Sequence, residues 1–124
     1  PGYYVHIAPD EIFVGVGIWR PEPPALASIR TAIDAKPDAW DAATRDAAFT
    51  RAFTLGGDSA RTVPRGFARD HRHATDLMRR DHIAVASPSF DALCGADGPK
   101  NVAALFRDAG PYMAFLADAL DLTV

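Results

Sequence analysis

Two runs of β-branched and aromatic residues open the chain, Tyr3 to Ala8 and Ile12 to Trp19, with Pro9, Asp10 and Glu11 between them. Such runs read as strands and Pro-Asp as the turn that joins them, so the opening segment predicts a β-hairpin. With a two-residue turn at Pro9-Asp10, Ile7 faces Ile12, Val5 faces Val14 and Tyr3 faces Val16. One face of the hairpin is then aliphatic and suited to a core. The other collects Tyr4, His6, Phe13 and Trp19, with Gly15 and Gly17 between them. A three-residue turn would scramble these faces, because a slip of one residue flips the whole set.

Pro21, Pro23 and Pro24 end the second strand, and Pro23-Pro24 opens a helix, whose first turn tolerates proline. Leu26, Ile29 and Ile33 then recur at helical spacing. Pro37 starts a short helix carrying Trp40, Ala43 and Ala47, and Phe49 and Phe53 continue the apolar theme. Gly56-Gly57 breaks the pattern. The polar stretch to Arg69 has no clear period and reads as a long loop, with room for a short strand at its start, Phe53 to Leu55. Asp70 is placed to cap a helix running to about Arg80, with Leu77 and Met78 inward. Ile83 to Ala86 reads as a short strand, Ser89 as the cap of a helical turn, and Ala96 to Pro99 as a turn. Asn101 is placed to cap the last helix, whose inward residues are Val102, Leu105, Phe106, Met113, Leu116 and Leu120. Gly110-Pro111 must kink or split that helix. Strands do not alternate regularly with helices. The expected class is α+β: a small, mainly antiparallel sheet with an N-terminal hairpin and helices packed mainly on one face.

Composition narrows the class of protein. With 124 residues and 48% hydrophobic positions, the chain can bury a core as one domain spanning residues 1–124 without disulfides. Its single cysteine, Cys94, rules out an internal disulfide; it reads as a buried structural thiol in a reducing compartment, and a cytoplasmic location is expected. The net charge of −3 argues against nucleic acid as a partner. No apolar run approaches the ~20 residues of a membrane helix, so no membrane role is expected. Basic residues are nearly all Arg and acidic ones nearly all Asp, which with the many alanines reads as codon usage of a GC-rich bacterial genome rather than a crowd of phosphate clamps. Pro1-Gly2 running straight into a strand reads as the interior of a longer gene product.

Two regions carry candidate chemistry. Tyr4, His6 and Trp19 ring the glycines of the hairpin face and would form a binding platform if that face is open; the alternative is that helices pack on both sides. Histidine is the side-chain type suited to proton transfer at neutral pH, so His6 reads as either an acid/base group or a packing residue. The second region, Arg61 to His82, concentrates Arg61, Arg65, Arg69, Arg72, Arg79 and Arg80 with His71, His73 and His82. Arg65 lies in a Pro64-Arg65-Gly66-Phe67 turn beside a predicted helix start, where it could help hold a phosphate or carboxylate. Asp70, Asp76 and Asp81 are interleaved, so a salt-bridged solvated surface is the alternative. The spacing of His71 and His73 does not make a metal pair, and no metal or other cofactor is expected. There is no nucleophile elbow, dinucleotide fingerprint or P-loop.

Gly2-Tyr3-Tyr4-Val5-His6-Ile7 and Gly15-Val16-Gly17-Ile18-Trp19-Arg20-Pro21, with Pro64-Arg65-Gly66-Phe67, Asp70-His71, Asp81 and Gly110-Pro111, resemble the signature of the bacterial family catalogued as domain of unknown function 2461. The resemblance runs along essentially the whole chain. It implies an N-terminal helical part upstream of Pro1, with a charged motif of the type Arg-Asp-x-Arg-Phe followed by Lys and Tyr. By this resemblance the chain is the C-terminal part of such a protein. The sequence departs from the family pattern after His71, where a proline is common and this chain has Arg72. The resemblance implies no reaction.

Three readings follow. The first is a binding module for a small anionic ligand, held between the hairpin face and the Arg65 loop by Tyr4, His6, Trp19, Arg20, Arg65 and His71. The second is an enzyme with His6 or His71 as acid/base and Arg65 as anion clamp. The third is a protein-protein interaction or scaffold domain, with a homodimer formed through an exposed sheet edge.

Overall fold

The computed structural model describes residues 1–122. The hairpin register forms as expected. Strand β1 (Gly2–Ala8) pairs antiparallel with β2 (Glu11–Ile18), placing Tyr3 opposite Val16, Val5 opposite Val14 and Ile7 opposite Ile12. Trp19 lies one residue beyond the strand. Only the β2 half of the hairpin's aliphatic face is core, however: β1 is the edge strand, and Tyr3, Val5 and Ile7 are 46%, 46% and 54% exposed. Helices α1 (Pro23–Ala35) and α2 (Pro37–Thr44) each begin with proline in the first turn, and α3 (Ala47–Ala52) is capped by the Asp46 carboxylate, which accepts from the Phe49 N–H. Strand β3 (Thr54–Gly56) follows, then a loop, the single turn α4 (Ala74–Leu77) and strand β4 (His82–Ala86). The chain ends in α5 (Phe90–Cys94), α6 (Gly98–Asp108) and α7 (Gly110–Ala119). The class is α+β.

The sheet order is β1-β2-β4-β3, antiparallel throughout. Alternation along the strands assigns each side chain to a face. Val14, Val16, Ala84 and Ala86 point to the helices and are fully or nearly fully buried. They meet Ile29 and Ile33 of α1, Trp40 of α2 and Tyr112, Met113 and Leu116 of α7 in one core. Trp40 is fully buried, 5.1 Å from the Phe115 ring and 5.9 Å edge-on to His82. Its Nε1–H donates to Asp76 Oδ2 at 2.9 Å, while Arg79 Nε donates to Asp76 Oδ1 at 2.9 Å. That carboxylate is thereby satisfied inside the protein.

Several local expectations are corrected. The helix expected from Asp70 to Arg80 is reduced to α4. The His73 N–H that a capping Asp70 would have satisfied donates instead to His71 Nδ1 at 2.9 Å. At the other end, residues 78–81 are drawn out of any helix: Ala60 N–H donates to Met78 O at 2.7 Å and Arg80 N–H to Asp58 O at 2.8 Å. The short strand is displaced by one residue, because Phe53 stays in the core, stacked on Phe49 at 5.4 Å. Asn101 does not cap a helix. α6 begins earlier, at Gly98, and the Asn101 amide donates to Ala92 O at 2.8 Å, tying α5 to α6. Gly110-Pro111 splits the last helix into α6 and α7. Cys94 is exposed at the end of α5, not buried.

Candidate functional site

The sheet leaves its second face with a different character. Tyr4, His6, Phe13, Gly15, Ile83 and Val85 point away from the helices. None of them belongs to the core cluster. Tyr4, His6, Phe13, Ile83 and Val85, with Val5, Glu11 and Trp19, line a groove of about 800 Å³. Tyr4 and Trp19 are 43% and 52% exposed, so the rings are on offer to a ligand rather than consumed by packing. His6 stacks on Phe13 at 4.8 Å, and its Nε2 lies 3.9 Å from Glu11 Oε2. The two glycines of this face differ. Gly17 has φ 122° and no room for a side chain, because the His82 carbonyl of β4 occupies the place of a Cβ. Its role is close approach of a neighbouring strand. Gly15 faces Ile83 and Phe13 at ordinary contact distance.

At the end of β2 the chain turns sharply. Arg20 takes φ 50°, a left-handed conformation that costs a non-glycine residue free energy unless its surroundings impose it. What imposes it is Asp81, which is 4% exposed. Its Oδ1 accepts the Arg20 N–H at 2.7 Å and its Oδ2 accepts the Asp58 N–H at 2.9 Å. One carboxylate thus joins the β2 exit, the start of the long loop and the entry to β4. Against this junction lies a second cleft, of about 540 Å³, lined by Arg20, Arg30, Arg80, Asp58, Asp81 and Pro64 among others. Three arginines and two aspartates therefore line it. Asp58 pairs with Arg80 at 3.2 Å, and Asp81 is committed to two backbone donors. Arg30 reaches from α1, donating to Leu77 O at 2.9 Å and Arg79 O at 3.3 Å. Burial and then the nearby Arg80 charge lower Arg30 from its ordinary value, yet an arginine stays charged. Trp19, which lines the groove, and Arg20, which lines the cleft, are consecutive residues, and the Arg20 guanidinium carbon lies 5.9 Å from the Trp19 ring centroid.

Residues 1–115 match the model of the family described as conserved hypothetical protein (DUF2461). The chain belongs to that family. No curated protein and no solved structure matches it. Among the described residues of this DUF2461 domain, no helix is long and apolar enough to cross a membrane and no cluster of His, Cys, Asp or Glu could hold a metal.

The six residues singled out from the sequence do not share one cavity in this DUF2461 domain. Tyr4, His6 and Trp19 line the groove, and Arg20 lines the adjoining cleft. Arg65 and His71 line neither. Arg65 is exposed in a turn whose Gly66 has φ 94°. His71 packs toward α1, its Nε2 3.0 Å from Asp34 Oδ1. His71 Nδ1 accepts the His73 N–H at 2.9 Å, so both ring nitrogens face a partner within the protein. The sequence reading passed over Arg30 and Asp58. A signal for Arg30 was present: it sits four residues after Leu26, on the apolar stripe of α1. Asp58 carries no such mark.

His82 is not part of a solvated basic surface. It is 1% exposed, on the inner face of β4, and finds no hydrogen-bond partner in the protein for either ring nitrogen. Burial, with the Arg79 and Arg30 charges adding, pushes it from 6.5 down to about 4. The unfolded chain therefore binds a proton there before the folded one does. Its contribution to stability is complete above the unfolded value and is lost as pH falls toward the folded one. Native stability is expected to drop by about 3 kcal/mol over that window on account of this ring. Urea unfolding at neutral pH and near pH 5 should show His82→Gln with a flatter pH dependence than the native protein. Equal slopes would mean that the ring is not held neutral.

Proposed function

We propose that this domain is a binding module for a small anionic ligand, held in the cleft of Arg20, Arg30 and Arg80. The observation that carries the reading is the Arg20 turn. A non-glycine residue is kept at φ 50° by a buried carboxylate, at the mouth of a cleft with more cationic than anionic side chains. Strain that the surroundings enforce clusters at ligand sites, and guanidinium groups suit carboxylate and phosphate geometry. Asp81 acts on the ligand only through the position of Arg20.

The test is calorimetric titration of inorganic phosphate, sulfate and acetate, with a thermal-shift series beside it. At a hundred times Kd a ligand adds about 2.7 kcal/mol to stability. Sulfate and phosphate also stabilise proteins by exclusion from their surface, so the comparison with Arg20→Ala decides. Binding is expected in the native protein and at least about tenfold weaker in Arg20→Ala, a loss of one charge-assisted contact. No heat of binding from any of the three anions, or binding that survives both Arg20→Ala and Arg80→Ala, would remove this reading.

A further inference from the structure

The outer-sheet groove and the arginine cleft are neighbours, and the side chains between them suggest one ligand spanning both. We propose that the groove is the second half of the anion site and takes an aromatic ring, so that the ligand class is an aromatic compound bearing a phosphate or carboxylate. The inference rests on the anion reading above.

The groove is built for a flat apolar group. Its floor lies on the β1-β2-β4 surface and is formed by Phe13, Ile83 and Val85, which pack beside Gly15. An alanine methyl at Gly15 would stand 3.7 Å from both Phe13 Cε2 and Ile83 Cδ1 and 3.8 Å from Tyr4 Cβ. At Gly15 the floor is therefore filled to van der Waals contact by its neighbours. Tyr4 and Trp19 rise beside it, both about half exposed. Aromatic rings left open around an apolar floor mark binding surfaces, and rings gain from stacking on rings. The volume of about 800 Å³ lies within the range of small-molecule sites.

Charge gives the groove a direction. At the hairpin-turn end lie His6 and Glu11, an exposed pair whose carboxylate repels an anion. At the other end lies Trp19, with the Arg20 guanidinium carbon 5.9 Å from its ring centroid and the cleft beyond. A ligand whose ring covers Gly15 and whose anionic group points along β2 toward Arg20 satisfies both halves. The reversed orientation would set the anion beside Glu11.

The experiment compares phenyl phosphate, inorganic phosphate and phenol by calorimetry. Phenyl phosphate is expected to bind about tenfold to a hundredfold more tightly than inorganic phosphate, the gain from burying one phenyl group. Phenol, lacking the anion, is expected to bind more weakly than phenyl phosphate. Phe13→Ala should bring phenyl phosphate down toward the affinity of inorganic phosphate, and Tyr4→Ser, on the exposed edge strand, supplies the same test if Phe13→Ala fails to fold. Acrylamide quenching adds a reporter, because Trp40 is buried and Trp19 is 52% exposed: phenyl phosphate should protect the accessible tryptophan. Equal affinity for phenyl phosphate and inorganic phosphate would overturn the aromatic half and leave the anion cleft standing. Absence of binding by either would overturn both. A ring preference unchanged in Phe13→Ala and Tyr4→Ser, or a dimer in sedimentation that does not bind phenyl phosphate, would overturn the groove as a ligand site.

Discussion

Gly17→Ala is expected to destabilise the protein by about 3–5 kcal/mol, the sum of a strained φ and an overpacked contact. At φ 122° the residue occupies backbone space that a side chain rarely tolerates, and the added methyl would fall on the His82 carbonyl oxygen. That oxygen belongs to β4, whose residues Ile83 and His82 pair with Gly17 and Ile18. Relief would require β2 and β4 to part, and Val14, Val16, Ala84 and Ala86 of these two strands form the sheet side of the core. Against a total stability of about 5–15 kcal/mol, the loss would leave a marginal fold. Gly15→Ala is the control: its methyl meets only ordinary contacts, and a change within about 1 kcal/mol is expected. Urea unfolding of the two variants checks the pair. A Gly17→Ala protein as stable as Gly15→Ala would show that the two strands do not approach as described.

Asp81→Ala is expected to cost about 2–5 kcal/mol and to weaken anion binding as well. The carboxylate is nearly inaccessible and accepts two backbone N–H groups, from Arg20 and Asp58. Its removal leaves two donors without partners at a buried junction. Asp81→Asn should recover little, because its amide would turn a donor toward one of two groups that already donate. The turn at Arg20 would relax from φ 50°, carrying its side chain away from the cleft. Denaturant unfolding measures the first effect. Phosphate titration, at a temperature where the variant remains folded, measures the second. An Asp81→Ala protein of native stability would mean that something other than this carboxylate holds the turn.

The hairpin was the most legible part of the fold. Its register rests on a two-residue turn and a period of two, both local properties of residues 3–18, and the pairing of Val5 with Val14 followed from them. The helices at Pro23 and Pro37 were legible for the same kind of reason: proline sets the first turn and the apolar spacing sets the face. The stretch from Asp70 to Asp81 was not. Asp70 has the chemistry of a cap, but the histidine ring next to it reached the same N–H first. Met78 and Arg80 gave their backbone groups to Ala60 and Asp58, partners that no local pattern announces. The candidate site divided along the same line. Tyr4, His6 and Trp19 share a groove because strand alternation dictates it. Arg20 meets Arg30 and Arg80 only because β4 inserts between β2 and β3.

By itself the sequence determined the hairpin and its register, the early helices, the α+β class and the family. Short-range sterics and hydrophobic periodicity act within a few residues and are written into the chain. Only the tertiary structure decided the strand order, the burial of His82 and the exposure of Cys94. It also decided that one aspartate, Asp81, would bind the Arg20 turn across 61 positions of sequence. Those outcomes depend on which distant groups compete best for a hydrogen bond or a place in the core, and that competition is settled only when the whole chain packs.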